Sequence, residues 1–257
     1  MLVGVLALWW RLSLVTAAGV GAGIANAIAG GGTFITFPTL LALGVPALQA
    51  NLSTTVGVLP SYLGSLRVFR SHVAAHRRLI ASLAPWCVAG AALGAGLLLL
   101  GSASTFKVIV PWLVGAGTVL FALSPVISRR LEHLDPAHRS RRWASVVGVF
   151  VVSIYGGYFG AGLGILLLAV MAISLPLGMA ELQGVRNAVS LIINATAALI
   201  FIVHGHLATS DVAALLVGTL IGGYLGARVV ARLSPVAVRV VVIAIGLVTT
   251  VKLAIGA

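Results

Sequence analysis

The chain has 257 residues, of which 60% are hydrophobic and only 8% charged, and its mean hydropathy is +1.17. That excludes an ordinary soluble domain, in which about a quarter of residues are charged, and no stretch is long or polar enough to fold as a separate one. The net charge of +12 does not mark a nucleic-acid binder, because the basic residues are gathered in loops.

Met1 to Trp10 lacks the basic leader of a signal peptide and reads as the start of the first membrane helix. Ten apolar segments can be drawn, over residues 5–29, 33–44, 50–69, 79–100, 105–127, 143–160, 164–178, 184–203, 209–231 and 235–255. Arg67, Arg70, Arg77 and Arg78 bracket the loop after the third segment. Arg129, Arg130, Arg139, Arg141 and Arg142 fill the central loop, and Arg228, Arg232 and Arg239 mark a later one. Short positive loops stay cytoplasmic. With Arg186 counted among them, only Arg11, Lys107 and Lys252 lie elsewhere. The second and seventh segments are too short to cross alone: about 12 residues at 1.5 Å each reach roughly 18 Å into a core about 30 Å thick. Each is expected to form a broken or re-entrant hairpin with the segment before it. The lone cysteine, Cys87, sits in an apolar segment and reads as packing.

The two halves share a layout. Gly44-Val45-Pro46-Ala47-Leu48-Gln49 is echoed 134 residues later by Gly178-Met179-Ala180-Glu181-Leu182-Gln183, and Gly90, Gly94 and Lys107 recur after 132 residues as Gly222, Gly226 and Arg239. With five segments per half and the basic loops inside, the copies run in opposite directions. The expected fold is an all-α integral membrane protein, an inverted repeat of two five-segment units with glycine-broken or re-entrant hairpins. Residues 1–257 form one membrane domain: a first repeat (1–127), a cytoplasmic connecting loop (128–142) and a second repeat (143–257), with both termini outside. A duplicated unit around glycine-broken segments marks a secondary transporter whose site lies where the copies meet.

The first site candidate is Gly30-Gly31-Gly32-Thr33, with its counterpart Gly160, Gly162 and Gly164. Glycine permits close backbone approach, Thr33 can cap the short helix that follows, and a helix start attracts anions. The alternative is that these glycines only let helices pack closely. The second candidate is the start of the third segment, Asn51-Leu52-Ser53-Thr54-Thr55, with Arg186-Asn187 as its repeat equivalent, the 134-residue offset setting Ser53 against Asn187. Asn187, Ser190 and Asn194 share one helix face, lining a site or bonding between helices. Arg186 either grips a carboxylate or sulfonate in a two-pronged bond, or pairs with Glu181, or is one more cytoplasmic arginine.

The acidic residues are Glu132 and Asp135 in the central loop, Glu181 and Asp211. No deep carboxylate suggests a cation pump or proton relay, which favours a small anionic substrate in the bilayer. His204 and His206 have no second cluster to form a metal site, and they read as interfacial. No nucleophile–base pair or phosphate loop suggests an enzyme, and no cofactor is called for. Ala29-Gly30-Gly31-Gly32-Thr33 through Pro38, then Leu43-Gly44-Val45-Pro46, resembles the first half of the TauE/SafE-type sulfite exporters. Tyr155-Gly156-Gly157-Tyr158-Phe159-Gly160-Ala161-Gly162 and Arg186-Asn187 resemble the second half. The resemblance implies a multi-spanning plasma-membrane protein that moves sulfur-containing or related organic anions such as sulfite, sulfoacetate or other sulfonates, and an interior-negative membrane potential favours moving an anion outward. Asn51-Leu52-Ser53 departs from the Ala-Thr-Ser type of sequence common there. The rival readings are a passive anion channel and a non-transporting membrane scaffold.

Overall fold

The computed structural model describes residues 2–132, 142–229 and 235–255, and the described residues contain helices and turns but no strand. In chain order the helices are α1 (Leu2–Ala29), α2 (Thr33–Ala42), α3 (Ala47–Gly57), α4 (Leu59–Val68), α5 (Arg70–Ala75), α6 (Arg77–Leu100), α7 (Ala103–Glu132), α8 (Arg142–Tyr158), α9 (Leu163–Ser174), α10 (Met179–His204), α11 (Thr209–Val229) and α12 (Pro235–Ile255). Five stretches among them are long and apolar enough to cross a bilayer: Leu6–Ala27, Arg77–Leu100, Ala103–Ile127, Met179–His204 and Thr209–Gly226. Large apolar side chains such as Leu100, Trp112 and Val203 point outward, which suits a lipid solvent.

The second and seventh segments are indeed short, at 10 and 12 residues for α2 and α9. The α2 helix stops because Gly44 takes φ +82°. The Val45 amide then reaches back to the Leu40 carbonyl and the Gly44 amide to that of Leu41, each at 3.0 Å, a glycine-terminated helix end sealed by the buried Leu40–Val45 pair. Its sequence echo behaves differently. Gly178 is extended, and its amide donates to Glu181 Oε2 at 2.9 Å.

Two expectations change. Residues 50–69 are not one segment but parts of α3 and α4, broken at Val58 and again at Phe69. Pro60 offers no amide to the ladder. The Gly57 carbonyl instead accepts the Thr219 hydroxyl of α11 at 2.6 Å, while Ser61 Oγ donates to Val58 O at 2.6 Å. In addition α7 runs helical through Glu132, into the stretch read as connecting loop. The remainder of that loop, residues 133–141 with Asp135, Arg139 and Arg141, lies outside the described residues, as does Arg232.

Glycines set which helices touch. Gly19 and Gly23 of α1 face Gly218 and Gly222–Gly223 of α11, and Gly90 and Gly94 of α6 meet the backbone of α8. No side chain fits between these backbones, which is how small residues join helices where lipid offers no hydrophobic drive. One buried core gathers Phe34, Phe37, Phe106, Phe121, Phe159 and Phe201. The other holds Cys87 with Leu167, Met171 and Ile193.

Candidate functional site

Both glycine turns come from helices ended by glycine. Gly30 (φ +76°) closes α1, its amide donating to Ala25 O at 3.1 Å, and Gly160 (φ +76°) closes α8, its amide donating to Tyr155 O at 3.2 Å. The first turn is held from behind by Asn26, which accepts the Gly32 amide at 2.7 Å and donates to Ser61 Oγ at 2.8 Å. Asn26 thus does the work assigned to Thr33, which makes no capping hydrogen bond. The second turn is held by Tyr155, whose hydroxyl donates to Ala161 O at 2.5 Å.

The turns lie side by side. A Cβ placed on Gly30 would stand 3.6 Å from the Gly164 Cα and 3.5 Å from Arg186 Nη1, and one on Gly164 would stand 3.1 Å from that same nitrogen. The Arg186 guanidinium is therefore wedged between the two hairpins. Gly31 has no room for a side chain beneath the Phe121 ring, and Gly162 (φ +74°) packs near Gly117 and Phe34. These two shape the turn and do not face Arg186.

Arg186 is 4% exposed, unlike the exposed loop arginines Arg77 and Arg78. It does not pair with Glu181. That carboxylate is bound to His76 Nε2 at 3.0 Å and to the Gly178 amide. Arg186 Nη2 donates to Asn187 Oδ1 at 2.9 Å, and its Nε has no partner. Among the described residues the ion pairs are His76–Glu181 and Arg11–Asp211. The second links α1 to α11, with Arg11 Nε on Asp211 Oδ1 at 3.0 Å and Nη2 on Oδ2 at 2.6 Å. Asp211 is thus engaged away from the exposed His204 and His206. Among the described residues, then, Arg186 is a buried cation without a carboxylate. Such a charge is costly unless something negative or strongly polar faces it.

Other polar groups line α3 and α10. Thr54 Oγ1 and Ser190 Oγ are buried without partners, as is Asn51 Oδ1. Asn51 Nδ2 donates to Tyr158 O at 3.0 Å, just before the second turn. Asn194 Nδ2 donates to Ser190 O at 2.9 Å and to the Tyr62 hydroxyl at 3.0 Å, while its Oδ1 faces Gly160. Ser53 stands apart: its hydroxyl accepts the Ala208 amide at 2.9 Å, ahead of α11. Sequence reasoning gave no role to Asn26 or Tyr62, and placed Asn51 only within the Asn51–Thr55 candidate stretch. Tyr62 carried a signal, since it precedes Asn194 by the same 132 residues that separate Gly90 from Gly222.

One family and one known protein match nearly the whole chain, and a second protein matches about half of it. The sulfite exporter TauE/SafE family matches residues 15–253. A probable membrane transporter protein of Haemophilus influenzae is 26% identical over 249 residues, 94% of each chain. A probable membrane transporter protein, ORF9, of a Sinorhizobium species is 32% identical over 146 residues, 56% of this chain and 54% of its own. With its apolar spanning helices and paired glycine turns, the chain belongs to the TauE/SafE family of membrane transporters.

Proposed function

We propose that the protein carries a small sulfur-containing or related organic anion (sulfite, sulfoacetate or another sulfonate) out across the membrane by alternating access between two inverted repeats. The observation that carries this reading is Arg186, an enclosed guanidinium between two glycine turns with an unpaired Nε. Its planar fork of donors suits a carboxylate or sulfonate, and a bound anion relieves the charge that burial penalises. Thr54, Ser190, Asn187 and Asn194 supply further polar contacts, Gly30, Gly32 and Thr33 frame one turn, and Gly160 and Gly162 the other. The name of the matching family, sulfite exporter, points to the same substrate class.

Three regularities support the inverted repeat. Helix starts recur at a near-constant offset: Thr33 and Leu163, Ala47 and Met179, Arg77 and Thr209, Ala103 and Pro235. Helix contacts pair off in the same way, α1 on α11 matching α8 on α6, and α2 on α12 matching α9 on α7. Tyr62 and Asn194, 132 residues apart, bond to each other, as equivalent positions meeting across a two-fold axis in the membrane plane would. The basic loops then lie inside with residues 128–142, and both termini lie outside.

Export needs no coupled ion. With the interior negative by about 100 mV, one negative charge moving outward gains about 2.3 kcal/mol, a ratio of roughly fifty. Flux of sulfite or sulfoacetate from loaded proteoliposomes at imposed potentials tests this. Faster efflux from a negative interior is expected, and indifference to potential overturns the uncoupled mechanism. Single-channel currents in planar bilayers would establish the channel reading instead.

A further inference from the structure

Away from Arg186, two cavities adjoin at one membrane face and share Ser82. The first, about 370 Å³, lies between the start of α6 and the end of α9 and is lined by Arg78, Leu79, Ser82 and the Ser174–Leu177 turn. The second, about 320 Å³, lies between α6 and α8 and is lined by Ser82, Trp86, Trp143 and Val146. Together they form a groove with a cation at one end and aromatic, apolar walls at the other.

Among the described residues the charge at this end is uncompensated. Arg77 and Arg78 are exposed and form no ion pair among the described residues, and the one nearby carboxylate, Glu181, is held by His76 and the Gly178 amide. The Ser82 hydroxyl donates to Leu79 O at 2.8 Å, so its oxygen presents lone pairs and little donor capacity to the groove. Arg78 is therefore the anion-recognising group. The apolar end is open: Trp143 is 77% and Trp86 43% exposed, and the Trp86 ring packs edge-on against Phe150 of α8 at 6.2 Å. Trp143, at the start of α8, marks headgroup depth, and Trp86 lies deeper along the seam, well inside α6. Val147 and Val151 of α8 continue the exposed apolar face beyond them.

The geometry points to a binding site for one anionic phospholipid, its phosphate on Arg78 and an acyl chain along the α6–α8 seam past Trp143 and Trp86. A free phosphate ion fits less well, because half of the groove gives it nothing to bond. A basic pocket between spanning helices at a membrane face is the setting in which acidic headgroups are held.

Native mass spectrometry of the purified full chain, titrated with phosphatidylglycerol or phosphatidylcholine, tests the site. The wild-type chain is expected to retain phosphatidylglycerol about fivefold better, the contribution of one basic side chain near an anionic lipid. Arg78→Gln brings the two lipids to parity, Arg129→Gln leaves the preference intact, and Trp143→Ala weakens both. Equal retention by wild type, a preference that survives Arg78→Gln, or one lost equally in Arg129→Gln overturns the proposal. Displacement of the lipid by free glycerol phosphate overturns it as well, since that identifies an ion site and not a lipid groove. Retained phosphatidylcholine binding in Arg78→Gln reports that the variant is folded.

Discussion

Arg186 combines two effects that substitution separates. Its charge is desolvated and faces no carboxylate, so removing it does not break a buried ion pair. Arg186→Gln is expected to lower substrate affinity by about 2–3 kcal/mol, roughly 30- to 150-fold, while the melting temperature holds or rises. Isothermal titration and thermal unfolding of one preparation read both, and a large loss of stability would contradict the solitary-charge reading. Asn187→Ala frees Nη2 and should weaken transport, whereas the exposed His204→Ala should leave it unchanged. The glycines divide similarly. Gly30 and Gly44 both have φ near +80°, but a Cβ on Gly44 meets nothing within 4 Å, while one on Gly30 faces Arg186. Alanine at either costs about 1–2 kcal/mol of backbone strain, and only Gly30→Ala should also weaken anion binding. The sequence made the glycines legible as special but left Arg186 open between gripping an anion, pairing with Glu181 and joining the cytoplasmic arginines. It could not assign Asn26 behind the first turn, because one amide in an apolar helix carries no sign of which backbone group it serves.

At the level of elements, the recurring Gly90, Gly94, Gly222 and Gly226 were readable as a repeat, and each lies where backbone meets backbone. Within α6 the contrast is testable. Gly94→Leu drives a side chain into the Ile154 backbone and should abolish folded yield, whereas Gly96→Leu, with open space around its Cβ, should be tolerated. Detergent size-exclusion profiles of the two variants compare them directly. The short α2 and α9 were foreseeable because the apolar runs 33–44 and 164–178 are too brief to cross alone, although α9 stops at Ser174, ahead of Pro176 and of the expected bound. The break in α3–α4 was missed for the opposite reason: apolar residues run on past Pro60. What stabilises the break is the Thr219 hydroxyl on Gly57, from a helix more than 150 residues away, which no local pattern reveals.

Across the whole molecule, charge and repeat offsets made the helical membrane architecture legible, while the depth of each polar group was not. Arg186 was counted with loop arginines because sequence gives position along a helix and not what surrounds it. The two ion pairs stand at opposite ends of α10, a helix of 26 residues and so about 39 Å long. Arg11–Asp211 is bidentate on a carboxylate only 1% exposed, and His76–Glu181 is half-exposed. Asp211→Asn is accordingly expected to destabilise by about 1–3 kcal/mol, and Glu181→Gln by less than about 1 kcal/mol, as thermal unfolding will read. The chain from Ala47 to Ala75 is jointed at Val58 and Phe69, while α10, which begins at the matching offset, is a single rod. A lever with elbows facing one without cannot flex as its mirror image. Under the alternating access proposed above, a swing that opens one side of the membrane bends the jointed limb, so Pro60→Ala, by stiffening it, should slow proteoliposome flux while leaving the affinity read by isothermal titration in place.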